Sequence, residues 1–101
     1  MTKRKTTISH DVAIVKELRD DPQFAAEYLN AAMEDTAEPR ALLIALRHVA
    51  EARGGLAKVA KAAGIERESL YRALSARGNP TLATLFAVAK AVGLKLTLEA
   101  A

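Results

Sequence analysis

The chain has 101 residues, half of them apolar and 27% charged, with a formal charge of +3 and no cysteine. This suffices for one compact domain with a packed core, and it excludes disulfides and thiolate-ligated metals. No run approaches the ~18 continuous apolar residues of a membrane span, and no apolar signal region follows the basic start Met1-Thr2-Lys3-Arg4-Lys5, so a cytoplasmic, non-membrane protein with a flexible basic arm over residues 1–9 is expected.

Asp11 to Leu18 reads as a first helix, with Ser9 in the capping position. Asp21-Pro22 opens a second, because aspartate caps helices and proline is accepted at their first position. Phe24, Tyr28, Leu29 and Ala32 keep helical spacing to about Asp35. Phe24 reads as core, while Tyr28 suits either core or a partner-binding patch. Glu38-Pro39 starts a third helix with an apolar stripe of Leu42, Leu43, Leu46, Val49 and Ala50, ended by Gly54-Gly55.

Leu56 to Ala63, Glu66 to Ala76 and Leu82 to Val92 are shorter helices, punctuated by Gly64, by Gly78-Asn79-Pro80 and by Gly93, with Thr81 capping the last. Leu94-Lys95-Leu96-Thr97-Leu98 alternates apolar and polar residues, the period of a strand. A short C-terminal strand there needs a partner, either the same segment of a second copy or the chain's own helices. The fold class expected is all-α.

Charge is unevenly spread. Residues 10–39 hold eight acids against Lys16 and Arg19, a net of −6, whereas residues 53–77 hold six bases against Glu66 and Glu68, a net of +4. Solvated helix faces would account for both, but one segment also suits a basic protein and the other a polyanion.

Residues 56–75 meet the steric demands of two helices crossing steeply through a short turn. Ala60 is small where the second helix must cross the first. Gly64 can take the positive φ of the turn, and Ile65 can plug the core behind it. Leu70, Ala73 and Leu74 form the buried stripe of the second helix, with Val59 and Ala63 completing the inner surface. The opposite face then presents Arg67, Glu68, Tyr71, Arg72 and Ser75.

This segment resembles the helix-turn-helix of the lambda-repressor-like (Cro/C1-type, XRE) DNA-binding domains, and Gly78-Asn79-Pro80-Thr81-Leu82 with Ala89-Lys90-Ala91-Val92-Gly93-Leu94 resembles that family's following loop and helix. A longer resemblance covers nearly the whole chain. Tyr28-Leu29-Asn30-Ala31-Ala32, Ala41-Leu42, Val49-Ala50-Glu51-Ala52-Arg53-Gly54, Glu66 to Leu74 and Gly78-Asn79-Pro80-Thr81 are similar to the addiction-module antidote proteins. That resemblance implies an antitoxin that binds a small RelE/HigB-like ribonuclease toxin and represses the operon they share. It also implies a division into acidic helices over 10–37 as the partner-binding region and a DNA-binding domain over 38–101. A stand-alone helix-turn-helix regulator with no toxin is the alternative.

On double-stranded operator DNA, Arg67, Glu68, Tyr71 and Arg72 are the base-reading candidates. Arginine can bond guanine O6 and N7 together, glutamate can accept from cytosine N4, and the tyrosine can either pack its ring on a thymine methyl or bond a phosphate. Lys58, Lys61, Ser69, Ser75, Asn79 and Thr81 are the phosphate candidates. Glu66 and Glu68 suit the positive end of the helix dipole but face phosphates unfavourably. One such unit reads too few base pairs, so a homodimer is expected, with residues 82–98 as its surface.

His10 and His48 lie far apart, and His48 reads as an ordinary helix-surface residue; no metal site is expected from them. Asp21 is explained by capping. Neither Ser69 nor Ser75 has a histidine at a suggestive spacing, and no glycine-rich phosphate loop occurs. Neither catalysis nor a cofactor is therefore expected.

Overall fold

The computed structural model describes residues 13–34 and 38–101. The arm over 1–9, the Ser9 cap, the helix start at Asp11 and the helix end near Asp35 lie outside them. Six helices and no strand occur among the described residues: α1 (13–20), α2 (Pro22–Glu34), α3 (Arg40–Ala52), α4 (Leu56–Ala63), α5 (Arg67–Ala73) and α6 (Leu82–Ala91).

Local chemistry accounts for the boundaries. An Asp21 carboxylate oxygen accepts from the backbone amides of Gln23 and Phe24 at 3.0 and 3.2 Å, which starts α2 as expected. The Gly55 amide reaches back to the Ala50 carbonyl at 2.9 Å, closing α3. At the end of α4, Gly64 sits at φ 73° and ψ 29°, a left-handed conformation that an L side chain adopts only at a cost. The next amide, of Ile65, then bonds the Ala60 carbonyl at 2.9 Å, and Ile65 packs against the core.

The second helix of this pair stops earlier than expected, at Ala73 rather than Ala76. The Ser75 amide and hydroxyl both donate to the Arg72 carbonyl, at 3.2 and 2.8 Å, which tightens the chain out of the helix. Across the molecule, an Arg40 guanidinium nitrogen donates to the Ala76 carbonyl at 3.3 Å and ties this turn to the start of α3.

The Thr81 hydroxyl oxygen accepts from the Thr84 amide at 3.1 Å and opens α6. Thr81→Ala is expected to cost about 1 kcal/mol, a fall of about 4–8 °C in thermal unfolding midpoint; an unchanged midpoint would show that the cap carries no weight.

Packing makes α4 the hub. It contacts α3, α5 and α6, while α2 packs on α3 and touches none of the later helices. The buried cluster runs from Leu18 through Ala25 and Leu29, along Leu43, Leu46, Val49 and Ala50, to Leu56, Val59, Ala60, Leu70, Leu74, Val88 and Val92. Leu42 and Ala73, expected inside, are only half buried: Leu42 lies in the first turn of α3, and Ala73 lies at the margin of the inner stripe of α5.

Within the single chain the tail after α6 forms no strand, and the alternative expectation, packing on the chain's own helices, is met at Leu94. Residues 94–101 carry no ladder, since no other extended segment lies beside them to supply one. Leu94 instead bonds back to the Ala89 carbonyl at 2.8 Å and packs on the core, Leu96 is half buried, and Leu98 is wholly exposed.

Candidate functional site

The α4–turn–α5 unit is compatible with a helix-turn-helix. Ala60 is buried on α4, leaving no side chain beyond Cβ to hold α5 away. Leu70 and Leu74 are buried beneath α5. Their burial leaves Arg67, Glu68, Tyr71 and Arg72 exposed on the other side of a helix only seven residues long. All four base-reading candidates are therefore open to solvent.

One pair among them is organised before any partner arrives. The Arg67 guanidinium carbon stands 5.9 Å from the centroid of the Tyr71 ring, within cation–π range. The two residues are one turn apart, the spacing at which helix side chains meet. Arg72 shows no ion pair among the described residues.

The phosphate candidates divide by chemistry. Lys58, Lys61 and Asn79 are exposed, and the aliphatic stem of Lys58 lies against Gly54. The three hydroxyls are engaged inside the chain. Ser69 donates to a Glu66 carboxylate oxygen at 3.2 Å, Ser75 to the Arg72 carbonyl, and Thr81 to the Thr84 hydroxyl at 3.1 Å. A phosphate oxygen accepts but cannot donate, so each hydroxyl must give up an internal bond to hold one.

Glu66 occupies the capping position of α5 without a capping bond from its side chain, and its bond with Ser69 keeps the carboxylate at the helix start. There the helix dipole favours it. It therefore stabilises α5 while holding negative charge next to the basic side chains.

Two features escape a reading of the sequence. Arg40 bridges to the turn after α5 across 36 residues, and no local pattern announces such a contact. His48 is not an ordinary surface residue: it is half buried, and its Nδ1 stands 2.6 Å from the Tyr28 hydroxyl. The Tyr28 ring stacks on Phe24 at 6.1 Å between centroids, so all three rings fill the seam between α2 and α3. An aromatic and a histidine, each half-facing its own helix's apolar stripe, are the signal that could have paired them.

The N-terminal helices keep their acids outside. Glu17, Asp20, Asp21, Glu27 and Glu34 are all exposed, and of these only Asp20 has an ion pair among the described residues, with Arg19 at 3.1 Å. No cluster of three potential metal ligands occurs among the described residues, and no described helix is long and apolar enough to cross a membrane.

The family described as "Probable addiction module antidote protein" matches residues 8–100. An uncharacterized protein of Haemophilus influenzae is 45% identical over 73 residues, covering 71% of this chain and 72% of the relative. No solved structure matches the chain. With nearly its whole length matched, this chain belongs to the family of probable addiction module antidote proteins.

Proposed function

We propose that the chain is the antitoxin of a two-protein module, neutralising a RelE/HigB-like toxin in the cytoplasm and repressing its own operon through an XRE-type helix-turn-helix. The observation that carries DNA binding is the outer face of α5, where Arg67, Tyr71 and Arg72 stand exposed over a fully buried Leu70. A helix of this kind enters the major groove with its outer side chains toward the base edges, while lysines such as Lys58 and Lys61 hold phosphates.

Sequence-specific binding of this kind requires two copies. The α6 helix exposes Leu82 at 65% and Phe86 at 51%, one turn apart, and the tail exposes Leu98 fully. Exposed apolar groups this large favour association, and a two-fold dimer that reads one operator needs its α5 helices ~34 Å apart, one DNA turn. Mass measurement at micromolar concentration is expected to give a dimer; a strict monomer would remove this part of the reading.

The toxin reading rests on family membership together with the exposed acids of α1 and α2, which complement a basic protein. A short basic protein is expected to be encoded next to the gene, and its co-expression with this chain is expected to give a stable complex. Failure to co-purify would leave the stand-alone regulator.

DNA binding is tested with the duplex upstream of the chain's own coding sequence. Arg72→Ala is expected to lose about 1–3 kcal/mol and to relax preference at one base pair. Lys61→Ala is expected to weaken all sequences alike and to lower the salt slope by about 1. Unchanged affinity after replacing both Arg67 and Arg72 would show that α5 is not the reading helix.

A further inference from the structure

We infer that Arg67 and Tyr71 act as one reading unit, specific for a guanine that lies one or two base steps from a thymine. The inference rests on the DNA-binding reading of α5 and adds the base pattern that this helix recognises.

The contact is chosen rather than forced. Arg67 is flanked in sequence by Glu66 and Glu68, yet neither carboxylate is in ion-pair range of it. Glu66 is engaged with Ser69. The guanidinium lies over the Tyr71 ring at 5.9 Å although both side chains have open solvent around them, Tyr71 being 43% exposed.

A contact at 5.9 Å to the ring centroid occupies none of the guanidinium's N–H donors, so they stay available to a base. Two of them match guanine O6 and N7 in the major groove. Holding the arginine on the ring removes rotamer freedom before binding, so less is lost when the base contact forms. The exposed remainder of the ring is apolar and suits a thymine methyl. Residues four apart on a helix are about 6 Å apart along its axis, and stacked bases are ~3.4 Å apart. The two contacts therefore fall on bases one or two steps apart. Tyr71 is thus a positioning residue for Arg67 as well as a contact in its own right.

The test begins with selection of duplexes by the wild-type protein from a random-sequence pool. The enriched sites are expected to share a guanine and a thymine at that separation. On the enriched duplex, Arg67→Ala is expected to weaken binding about 10–100-fold. Tyr71→Phe keeps the ring and stays within about twofold of wild type, whereas Tyr71→Ala loses about tenfold. The double variant falls short of the product of the two single losses by about fivefold, the signature of coupled residues. In the free protein, the Arg67 δ-methylene protons are expected to show a ring-current shift that Tyr71→Phe keeps and Tyr71→Ala abolishes.

Losses that simply multiply, or a Tyr71→Phe loss as large as that of Tyr71→Ala, overturn the unit while leaving DNA binding intact. Absence of the ring-current shift in wild type overturns the pre-formed pair. Enrichment of no sequence at all removes the DNA-binding reading and the unit's role with it.

Discussion

Replacing Gly78 with alanine is expected to destabilise the protein by on the order of 3 kcal/mol, more than substitution of any glycine held at positive φ. A Cβ at this position would fall 1.9 Å from the Ala73 carbonyl oxygen and 2.7 Å from that of Arg72. Both are backbone atoms at the end of α5, so neither can swing away as a side-chain tip would. Relief requires moving the turn, and that turn is held by the Gly78 amide on the Ser75 carbonyl at 2.8 Å and by Arg40 on Ala76. Gly64 gives the contrast. An added Cβ there meets nothing within 4 Å, leaving only the left-handed backbone penalty of about 1–2 kcal/mol. Thermal unfolding should therefore place Gly78→Ala about 15 °C below wild type, with Gly64→Ala between them. The reverse order would show that the loop yields easily.

Leu70→Ala is the second large effect, with an expected loss of about 2–5 kcal/mol from a fully buried leucine. Its consequence for function exceeds its share of the core. A seven-residue helix does not hold together by itself in water, where even ~12–15 residues are marginal, so α5 persists because Leu70 and Leu74 are gripped by the core. Truncating Leu70 should loosen the whole outer face, Arg67, Tyr71 and Arg72 together. Denaturant unfolding gives the stability loss. Operator binding, measured where the variant is still mostly folded, should fall further than with either arginine variant alone. A variant that binds as wild type would show that α5 is held by its neighbours without this side chain.

These two residues differ in how far the sequence reveals them. Leu70 is legible: a leucine four residues before another, behind Gly64-Ile65, is the inner stripe of a short helix and can be read from spacing alone. Gly78 is not. In sequence it is a loop glycine before Asn79-Pro80, and it carries no positive φ to explain its choice. Its requirement comes from the chain passing close over the Ala73 and Arg72 carbonyls at the end of α5, a geometry that exists only once α5 ends at Ala73. The early end itself depends on Ser75 turning back to Arg72. Helical propensity extends past such a point because Ala76 is a strong helix former and no glycine or proline intervenes before Gly78.

The α4–turn–α5 unit, with its buried stripe and open outer face, was determined by the sequence alone. Small, glycine and leucine positions leave few ways to pack two helices across so short a turn. The helix starts at Pro22 and Leu82 were equally local, since a cap acts within three residues. Only the tertiary structure decided the partners of side chains distant in sequence: Tyr28 with His48, Arg40 with the turn after α5, and the fate of the tail. Its alternating leucines carry the period of a strand, but a ladder requires a second extended backbone alongside. Within one copy of this chain the core takes Leu94 and leaves Leu98 in water.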